Sequence, residues 1–314
     1  MTRSPMKVIY EPPLRTVLVS GGAGYVGETL CRMLASDGAL RVISVDHYGD
    51  GAVPRETGNF RAIDLNAVDG ASLAALFAEE QVDSVIALTA PDGDDLAEVA
   101  HGCWAQLADD ERARCRFVSV TPRDAAAPRL IAGLPTIRAI VADLYGPGQP
   151  EDALIPASII GALAGAPIWV CNGGLAVHDW LHVDDLAMAL LTVLVRGQTG
   201  TTYQISARET PSALATAAMI CDLIDRLAPR PDGRKHRSLI RFRTQAMATQ
   251  APPLDPARIE RELGWHAQIG LRDGLIDAID WYRGRRADEA LNPAGSAMPL
   301  GDGVPGRARF GSAA

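Results

Sequence analysis

A cluster of glycines near the start of the chain has the spacing of a phosphate-binding turn. The stretch GGAGYVG follows a short apolar, β-branched run and precedes a stretch with helical periodicity. Gly22, Gly24 and Gly27 match the pattern GxGxxG, and Gly21 with the last two also matches GxxGxxG. One such glycine makes a tight turn, one lets backbone N–H groups approach a pyrophosphate, and one lets a helix pack closely on a strand. Strand, glycine turn and helix together predict a dinucleotide site.

An acidic residue at a suitable distance completes this pattern. Asp46 lies 19 residues beyond Gly27, at the end of a second apolar run, where a carboxylate accepts hydrogen bonds from ribose hydroxyls. The same charge repels a 2′-phosphate, so we expect NAD rather than NADP as cofactor. Asp64 and Leu65, at the end of a third run, are expected to flank the adenine. The predicted cofactor residues are Gly21, Gly24, Tyr25, Val26, Gly27, Asp46, Asp64, Leu65, Leu88 and Thr89. The alternative is a domain of the same type that packs well and binds no nucleotide.

The elements that must hold these residues alternate between strands and helices. Short apolar runs predict strands at 16–20, 41–46, 59–64, 82–91 and 116–121. Amphipathic stretches lie between most of these runs, and residues 95–115 are predicted as one helix. This alternation predicts an α/β fold, a Rossmann-type doubly wound parallel sheet with a smaller mixed C-terminal lobe.

The chain of 314 residues, 47% of them hydrophobic, is long enough for a large core. We predict an N-terminal arm at 1–14, a nucleotide-binding core at 15–150 to which 176–206 returns, a smaller substrate-type lobe at 151–286, and a disordered tail at 287–314. The tail is assigned from its richness in Gly, Ala and Pro and its low apolar content.

Charge and cysteine usage exclude several classes of partner. A net charge of −8 argues against binding to nucleic acid or to an anionic membrane. The sequence contains no run of 18 or more apolar residues, so we predict no membrane span. Residues 1–14 lack the apolar run of a signal peptide. The five cysteines are widely spaced and form no CxxC pair, which is typical of reduced thiols in a cytoplasmic protein.

Further motifs occur in a fixed order along the chain. They are VLVSGGAGYVGETL, LYGPGQPEDALIPASIIGALAGAPIWVCNGG, VHDWLHVDDLAMALLTVL, TTYQIS, LDPARIERELGW and GLIDAIDWY. With these motifs, residues 15–286 resemble the extended short-chain dehydrogenases/reductases of the NAD-dependent nucleotide-sugar epimerase/dehydratase family, most of all its dTDP-glucose 4,6-dehydratase branch. The resemblance implies NAD as cofactor and a nucleotide sugar as substrate. It also implies a Tyr-x-x-x-Lys pair on one helix face, which performs acid/base chemistry at a sugar hydroxyl.

That Tyr-x-x-x-Lys pair is missing from the sequence. The residues four places after the six tyrosines are Leu14, Thr29, Ala52, Gln149, Ala207 and Arg286. Lysine occurs only as Lys7 and Lys235, so no shift in alignment supplies the pair. Tyr282 with Arg286 comes closest, and a packing role in the C-terminal helix is the simpler interpretation.

The strand-end motif that supports the substrate is altered as well. Where the resemblance implies Ser-Thr-Asp-Glu, the chain has Thr121, Pro122, Arg123 and Asp124. Thr121 has a hydroxyl and Asp124 a carboxylate, and these two are the remaining catalytic candidates. A capping or surface role is the alternative for Asp124. Arg123 inverts the charge of the implied general acid.

The connection that carries the catalytic helix in the family is short in this chain. If one strand ends at Thr121 and the next begins at Thr136, the 14 residues between them are close to the minimum of about 10–12 for such a crossover. We expect the catalytic helix to be reduced to about two turns. Part of the dimer surface that the family builds on this helix is lost with it, so we expect a weakened or different homodimer.

Two residues occupy positions where the resemblance implies contacts to the substrate. Asp143 stands where an Asn is frequent, and His178 stands where an Arg usually binds the pyrophosphate, for which His is the weaker ligand. These two are the predicted substrate-binding residues. The stretch HVDD at 182–185 is a possible metal site, but a helix that starts near Leu186 with Asp184 as its cap explains it more simply, so no metal site is predicted.

Two functions remain open at this point. The combined loss of Tyr, Lys and the strand-end motif favours a family member that binds NAD, a nucleotide sugar or a protein partner without the standard chemistry. The alternative is an active dehydratase or epimerase that uses other catalytic groups, from this chain or from a partner chain.

Overall fold

The structure is a computed structural model that describes residues 16–36, 38–48, 56–64, 70–88, 93–126, 129–244 and 251–291. The predicted N-terminal arm lies outside these residues. In chain order the strands are β1 (Thr16–Ser20), β2 (Arg41–Asp46), β3 (Phe60–Asp64), β4 (Ser84–Ala87), β5 (Arg116–Pro122), β6 (Thr136–Val141), β7 (Asp143–Tyr145), β8 (Ile168–Cys171), β9 (Trp180–His182), β10 (Thr202–Ile205) and β11 (Ile240–Arg243). The helices are α1 (Tyr25–Ser36), α2 (Gly70–Glu79), α3 (Gly93–Trp104), α4 (Asp109–Arg112), α5 (Leu154–Ala164), α6 (Val183–Arg196), α7 (Ala213–Leu227), α8 (Ala257–Leu263) and α9 (Leu271–Leu291).

One large parallel sheet organises the strands. Its order is β10-β6-β5-β4-β1-β2-β3, and the pairs on either side of β1 and β4 run parallel. Every residue of β1 and β4 is buried, as expected for a sheet with helices on both faces. The predicted Rossmann-type fold with smaller C-terminal sheets is confirmed.

The chain divides into two compact units. The first comprises residues 1–121, 127–139 and 187–203, and the second comprises 122–126, 140–186 and 204–314. The predicted domains at 15–150, 151–286 and 176–206 have somewhat different bounds and stay a prediction.

The first unit has its core beneath α2 and α3. Leu18, Ile43 and Val85 from three neighbouring strands pack with Phe77 and Trp104 from the helices. The single helix predicted at 95–115 is wrong, because α3 ends at Trp104 and α4 begins only at Asp109. The N–H of Leu107 donates to the carbonyl of Trp104, and this tight turn ends α3.

The connection from β5 to β6 contains no helix among its described residues, 123–126 and 129–135. β5 extends to Pro122, and β6 begins at Thr136 as predicted. The predicted helix of about two turns is therefore wrong. Pro128 and Pro135 bracket only six residues, among them Gly133 with a φ of 86°, and this sequence offers no stretch in which a helix can propagate.

The second unit is built from short parallel strand pairs and helices. β7 pairs with β9, and β8 pairs with β11. Its apolar core includes Tyr145, Ile159, Trp180, Ile220 and Ile279. α9 reaches Leu291, so the first residues of the predicted tail at 287–314 are helical, and those beyond Leu291 lie outside the described part of the chain. Within that part, no helix has the length and hydrophobicity needed to cross a membrane.

Candidate functional site

The predicted glycine turn joins β1 to α1. Gly21 directly follows β1 and Gly24 directly precedes α1. Tyr25, Val26 and Gly27 form the first residues of the helix. The turn therefore presents the N-terminus of α1 at the carboxyl end of β1, where ligands bind in sheets of this type.

Two glycines of this turn leave no room for a side chain. A Cβ on Gly27 would lie 2.1 Å from the carbonyl oxygen of Gly21, and a Cβ on Gly22 would lie 1.8 Å from the Oγ of Ser44. The start of α1 thus packs on the backbone of the turn, and the turn packs on the side chain of Ser44 in β2. Close packing of this kind requires glycine, in agreement with the spacing in the sequence.

Asp46 ends β2 beside the turn and contacts it directly. Its Oδ2 accepts the N–H of Ala23 at 2.8 Å, and its Oδ1 accepts the N–H of His47 at 2.7 Å. Asp64 ends β3 and is the register partner of Asp46 in the β2–β3 pair. The two predicted acids therefore lie side by side at the carboxyl edge of the sheet.

Leu88 lies at the same edge, directly after β4. Its N–H donates to the carbonyl of Ser20, the last residue of β1, at 3.3 Å. Leu65 and Thr89, the remaining predicted cofactor residues, lie outside the described residues.

The turn fits the pyrophosphate of a dinucleotide. Within the described part of the chain, no acceptor takes the N–H groups of Val26 and Gly27, which belong to the first turn of α1. Unpaired N–H groups at a helix N-terminus, with the positive end of the helix dipole, bind phosphate oxygens. The Asp46 carboxylate beside them has lone pairs left for ribose hydroxyls.

The tyrosines of the second unit serve packing. The hydroxyl of Tyr145 donates to the carbonyl of Gly270 at 3.4 Å, and that of Tyr282 donates to the carbonyl of Gln149. Burial raises the pKa of both phenols above the ordinary value of 10. Lys235 is exposed, and its Nζ lies 3.7 Å from a carboxylate oxygen of α7.

The two catalytic candidates occupy different environments. Thr121 is buried within β5. Asp124 is exposed in the turn after β5 and makes no hydrogen bond to another described residue. A surface role for Asp124 agrees with this placement, and its role stays a prediction.

Arg123 and His178 both contact the same carboxylate oxygen of Asp143. Arg123 Nη2 donates to Asp143 Oδ2 at 2.9 Å, and His178 Nδ1 lies 3.2 Å from the same oxygen. The N–H of Asp179 also donates to this oxygen, at 3.1 Å. All four residues belong to the second unit. No local sequence signal indicates this cluster, because its members lie 20 and 35 residues apart along the chain.

The segment that carries His178 is held from both sides. The buried Asp179 carboxylate accepts a hydrogen bond from the hydroxyl of Ser206 at 2.6 Å and from the N–H of Leu254 at 2.8 Å. Burial raises the pKa of Asp179. The His178 ring stacks on Trp180, with 4.9 Å between centroids and 18° between planes. The imidazole therefore has a fixed plane and position.

The HVDD stretch is organised around its histidine. α6 begins at Val183, so the predicted start near Leu186 is wrong, and so is Asp184 as the cap. The N–H of Asp184 donates to His182 Nδ1 at 3.2 Å, which makes His182 the residue that accepts from the first turn. Asp185 accepts backbone N–H groups from the segment before α9. Among the described residues, no group of three or more His, Cys, Asp or Glu side chains is arranged to hold a metal ion.

His182 is expected to make the folded chain less stable in mild acid. Burial lowers the pKa of its imidazole below the ordinary 6.5, against the opposing pull of Asp184, Asp185 and Asp277. Between the folded and unfolded pKa values the unfolded chain binds more protons, so the free energy of unfolding falls as pH drops below about 6.5. His182→Asn keeps an acceptor for Asp184 and does not titrate.

Urea unfolding at neutral pH and at about pH 5.5 measures this effect of His182. The wild type should lose roughly 1 kcal/mol more than His182→Asn between the two conditions. The buried Asp179 and Asp185, whose pKa values are raised by burial, are present in both chains and cancel in the comparison. Parallel stability curves for the two chains would show that His182 does not cause the acid sensitivity.

Comparison with known proteins gives consistent relatives. The sequence profile of the NAD dependent epimerase/dehydratase family matches residues 17–102 and 126–206. The dTDP-glucose 4,6-dehydratase of Neisseria gonorrhoeae is 27% identical over 336 residues, which cover 85% of this chain and 95% of that protein. The dTDP-glucose 4,6-dehydratase of Bacillus anthracis in complex with NAD has a TM-score of 0.71 at 20% identity, covering 87% of this chain and 98% of that one. The Bordetella bronchiseptica enzyme WbmF in complex with NAD+ and UDP has a TM-score of 0.65 at 22% identity, covering 88% and 94%.

The structural likenesses show a shared fold, and the family profile covers more than half of the chain. The cofactor of this family, NAD, is the one predicted from the glycine turn and Asp46. The chain belongs to the NAD dependent epimerase/dehydratase family, within the extended short-chain dehydrogenases/reductases.

Proposed function

We propose that the chain binds NAD and a nucleotide sugar but does not perform the standard acid/base chemistry of its family. The observation that carries this proposal is the β1–α1 turn, in which the N–H of Ala23 donates to Asp46, in a chain that has no Tyr-x-x-x-Lys pair. Relatives in complex with NAD, and with NAD and UDP, support the choice of ligands.

The first unit would hold the pyrophosphate, the adenosine ribose and the adenine of the dinucleotide. The N–H groups of Val26 and Gly27 would donate to the pyrophosphate, and Asp46 would accept from the adenosine ribose. Asp64 and Leu65 would flank the adenine. When bound, NAD supplies a hydride acceptor. This chain lacks the groups that its family uses to orient that acceptor on a substrate.

Among the described residues of the second unit, neither tyrosine replaces the usual proton-transfer groups. Tyr145 and Tyr282 are buried in packing contacts, and burial raises their pKa, whereas an efficient acid/base at neutral pH needs a pKa near 7. Loss of a positioned acid/base typically lowers a rate by about 10²–10⁴. These features support action by binding, to a nucleotide sugar or to a protein partner. The β5–β6 connection without a described helix supports a homodimer different from the family's.

An active enzyme with non-standard groups is the second candidate. The contacts among Arg123, Asp143 and His178 favour it, because an imidazole oriented by a carboxylate is a common proton-transfer arrangement. Incubating the chain with NAD, and with dTDP-glucose at the same concentration as the chain, separates the two candidates. The proposal expects no 4-keto sugar. Accumulation of a 4-keto sugar would establish the second candidate instead.

Asp46→Asn should weaken NAD binding and reduce the preference over NADP. Loss of a charged hydrogen-bond acceptor costs about 1.5–3 kcal/mol, or roughly 10- to 100-fold in Kd. Loss of the negative charge also removes the repulsion of a 2′-phosphate, so NADP affinity should fall less or rise. Calorimetric titration with both dinucleotides measures the ratio, with the exposed Asp109→Asn as control. An unchanged NAD affinity would remove Asp46 from the cofactor site.

The cysteines support the predicted cytoplasmic location. None of the five forms a disulfide, and burial raises the pKa of Cys31, Cys115 and Cys221 to about 12. Thiols outside disulfides are usual in a reducing compartment.

A further inference from the structure

The contacts of Arg123 leave one of its buried nitrogens without a partner. Its side chain is only 4% exposed, and Nη2 is paired with Asp143. Nη1 is buried and has no hydrogen-bond partner among the described residues. A buried donor left unpaired is costly, and in native structures such a group calls for an explanation, of which a functional role is one.

Asp143, which binds Arg123, and His178, which binds Asp143, have unused hydrogen-bond acceptors. Asp143 Oδ2 receives three N–H donors, whereas Oδ1 accepts none from the described residues, and the carboxylate is 19% exposed. In the neutral His178 ring the proton belongs on Nδ1, because that nitrogen faces the carboxylate. Nε2 then has a free lone pair, and the only side-chain hydrogen bond of His178 within the described part of the chain is the one made by Nδ1.

The charge and hydrogen-bonding capacity of the cluster define the ligand. Arg123 and Asp143 neutralise each other, and the open positions are one donor group, Nη1, and two acceptors, Oδ1 and Nε2. A phosphate or carboxylate oxygen only accepts, and it would meet a carboxylate oxygen and an imidazole lone pair. A hydroxyl both donates and accepts, so a polyhydroxyl group matches all three positions.

We propose that Arg123, Asp143 and His178 form a binding site for the hydroxyl groups of a sugar ring, and not for a phosphate. Asp143 Oδ1 and His178 Nε2 accept from sugar hydroxyls, and Arg123 Nη1 donates to a sugar oxygen. Arg123 also positions Asp143. This inference rests on the proposed function in one respect, namely that the sugar is the one carried by a nucleotide sugar. It revises the expectation, implied by the family resemblance, that the position of His178 meets the pyrophosphate.

Paired ligands with and without the sugar test this site. The probes are dTDP-glucose with dTDP and UDP-glucose with UDP, titrated by calorimetry into the full chain at saturating NAD. His178→Phe keeps an aromatic ring on Trp180 and removes the acceptor. We expect it to lower the affinity for the nucleotide sugar about 5- to 10-fold and to leave that for the nucleoside diphosphate within about twofold. His266→Phe, an exposed histidine of the same unit, is the matched control and should change neither.

Each other outcome overturns the inference in a distinct way. Equal losses for both ligands of a pair would show that the cluster binds phosphate. No loss for either ligand would show that it is structural. A wild-type chain that binds NAD but none of the four probes would remove the sugar site and leave NAD binding intact, whereas failure to bind NAD would remove the proposed function itself. Should His178→Phe not fold, Arg123→Lys must show the same selective loss, since it keeps the charge but not the second nitrogen.

Discussion

Gly27→Ala is expected to weaken NAD binding by at least roughly 10-fold. The new Cβ would lie 2.1 Å from the carbonyl oxygen of Gly21 and 2.5 Å from the Cα of Gly22. Both are backbone atoms, so no side-chain rotation relieves the clash and the start of α1 must move away from the turn. Because the N–H groups that would hold the pyrophosphate belong to this first turn, the displacement removes the site.

The cost of Gly27→Ala should appear in stability as well as in binding. Overpacking of a close contact typically costs about 1–3 kcal/mol. We expect a Kd for NAD raised by at least roughly 10-fold, which corresponds to about 1.4 kcal/mol. Calorimetry with NAD and urea unfolding measure the two effects on the same preparation.

Gly102→Ala is the matched control for this helical glycine. Gly102 lies in α3 on the surface, and a Cβ there would meet no atom within 4 Å. Alanine is the better helix former, so the change should stabilise the chain by about 0.5–1 kcal/mol and leave NAD binding unchanged. NAD binding by Gly27→Ala at the wild-type affinity would contradict the assignment of this turn as the cofactor site.

Asp143→Ala should destabilise the chain more than Arg123→Met does. Asp143 is the hydrogen-bonding partner of a guanidinium that is 4% exposed, and its removal leaves a buried charge without compensation. Breaking a buried ion pair in this way costs about 3–5 kcal/mol. Arg123→Met leaves the carboxylate with His178, with the N–H of Asp179 and with solvent, so roughly 1–2 kcal/mol is expected.

A double-mutant cycle measured by urea unfolding checks this order. The double variant should be less destabilised than the sum of the single variants, because neither charge remains buried alone. The exposed pair of Arg129 and Glu98 is the control, and Glu98→Ala should change stability by less than about 0.5 kcal/mol. A larger loss for Arg123→Met than for Asp143→Ala would mean that the guanidinium has other compensation and would weaken the sugar-site proposal.

The cofactor turn was predictable because its requirements are local. A tight turn, a close backbone approach and an acid at the end of the next strand all follow from short spacings along the chain. The structure adds the contact between Asp46 and the N–H of Ala23, which links strand β2 to the turn. The sheet was predictable for the same reason, since buried parallel strands appear as short apolar runs.

The start of α6 and the β5–β6 connection were less predictable. Sequence reasoning takes Asp184 as a cap because acids often fill that role, but His182 accepts the N–H instead, and the helix begins earlier. In the connection, the family resemblance suggests a shortened helix, whereas Pro128 and Pro135 restrict the backbone there.

The cluster around Arg123 was beyond sequence reasoning. From the sequence alone, an arginine at a position where the family has an acid indicates only the loss of a catalytic residue. No local sequence pattern indicates that Asp143 and His178 lie near it. Only the folded second unit shows that all three meet at one carboxylate oxygen.

A calorimetric titration of NAD into the purified wild-type chain tests the central claim most directly. The account predicts saturable binding of one NAD per chain, with a clear loss in Gly27→Ala and none in Gly102→Ala. A folded wild-type chain that gives no saturable binding of NAD would contradict it.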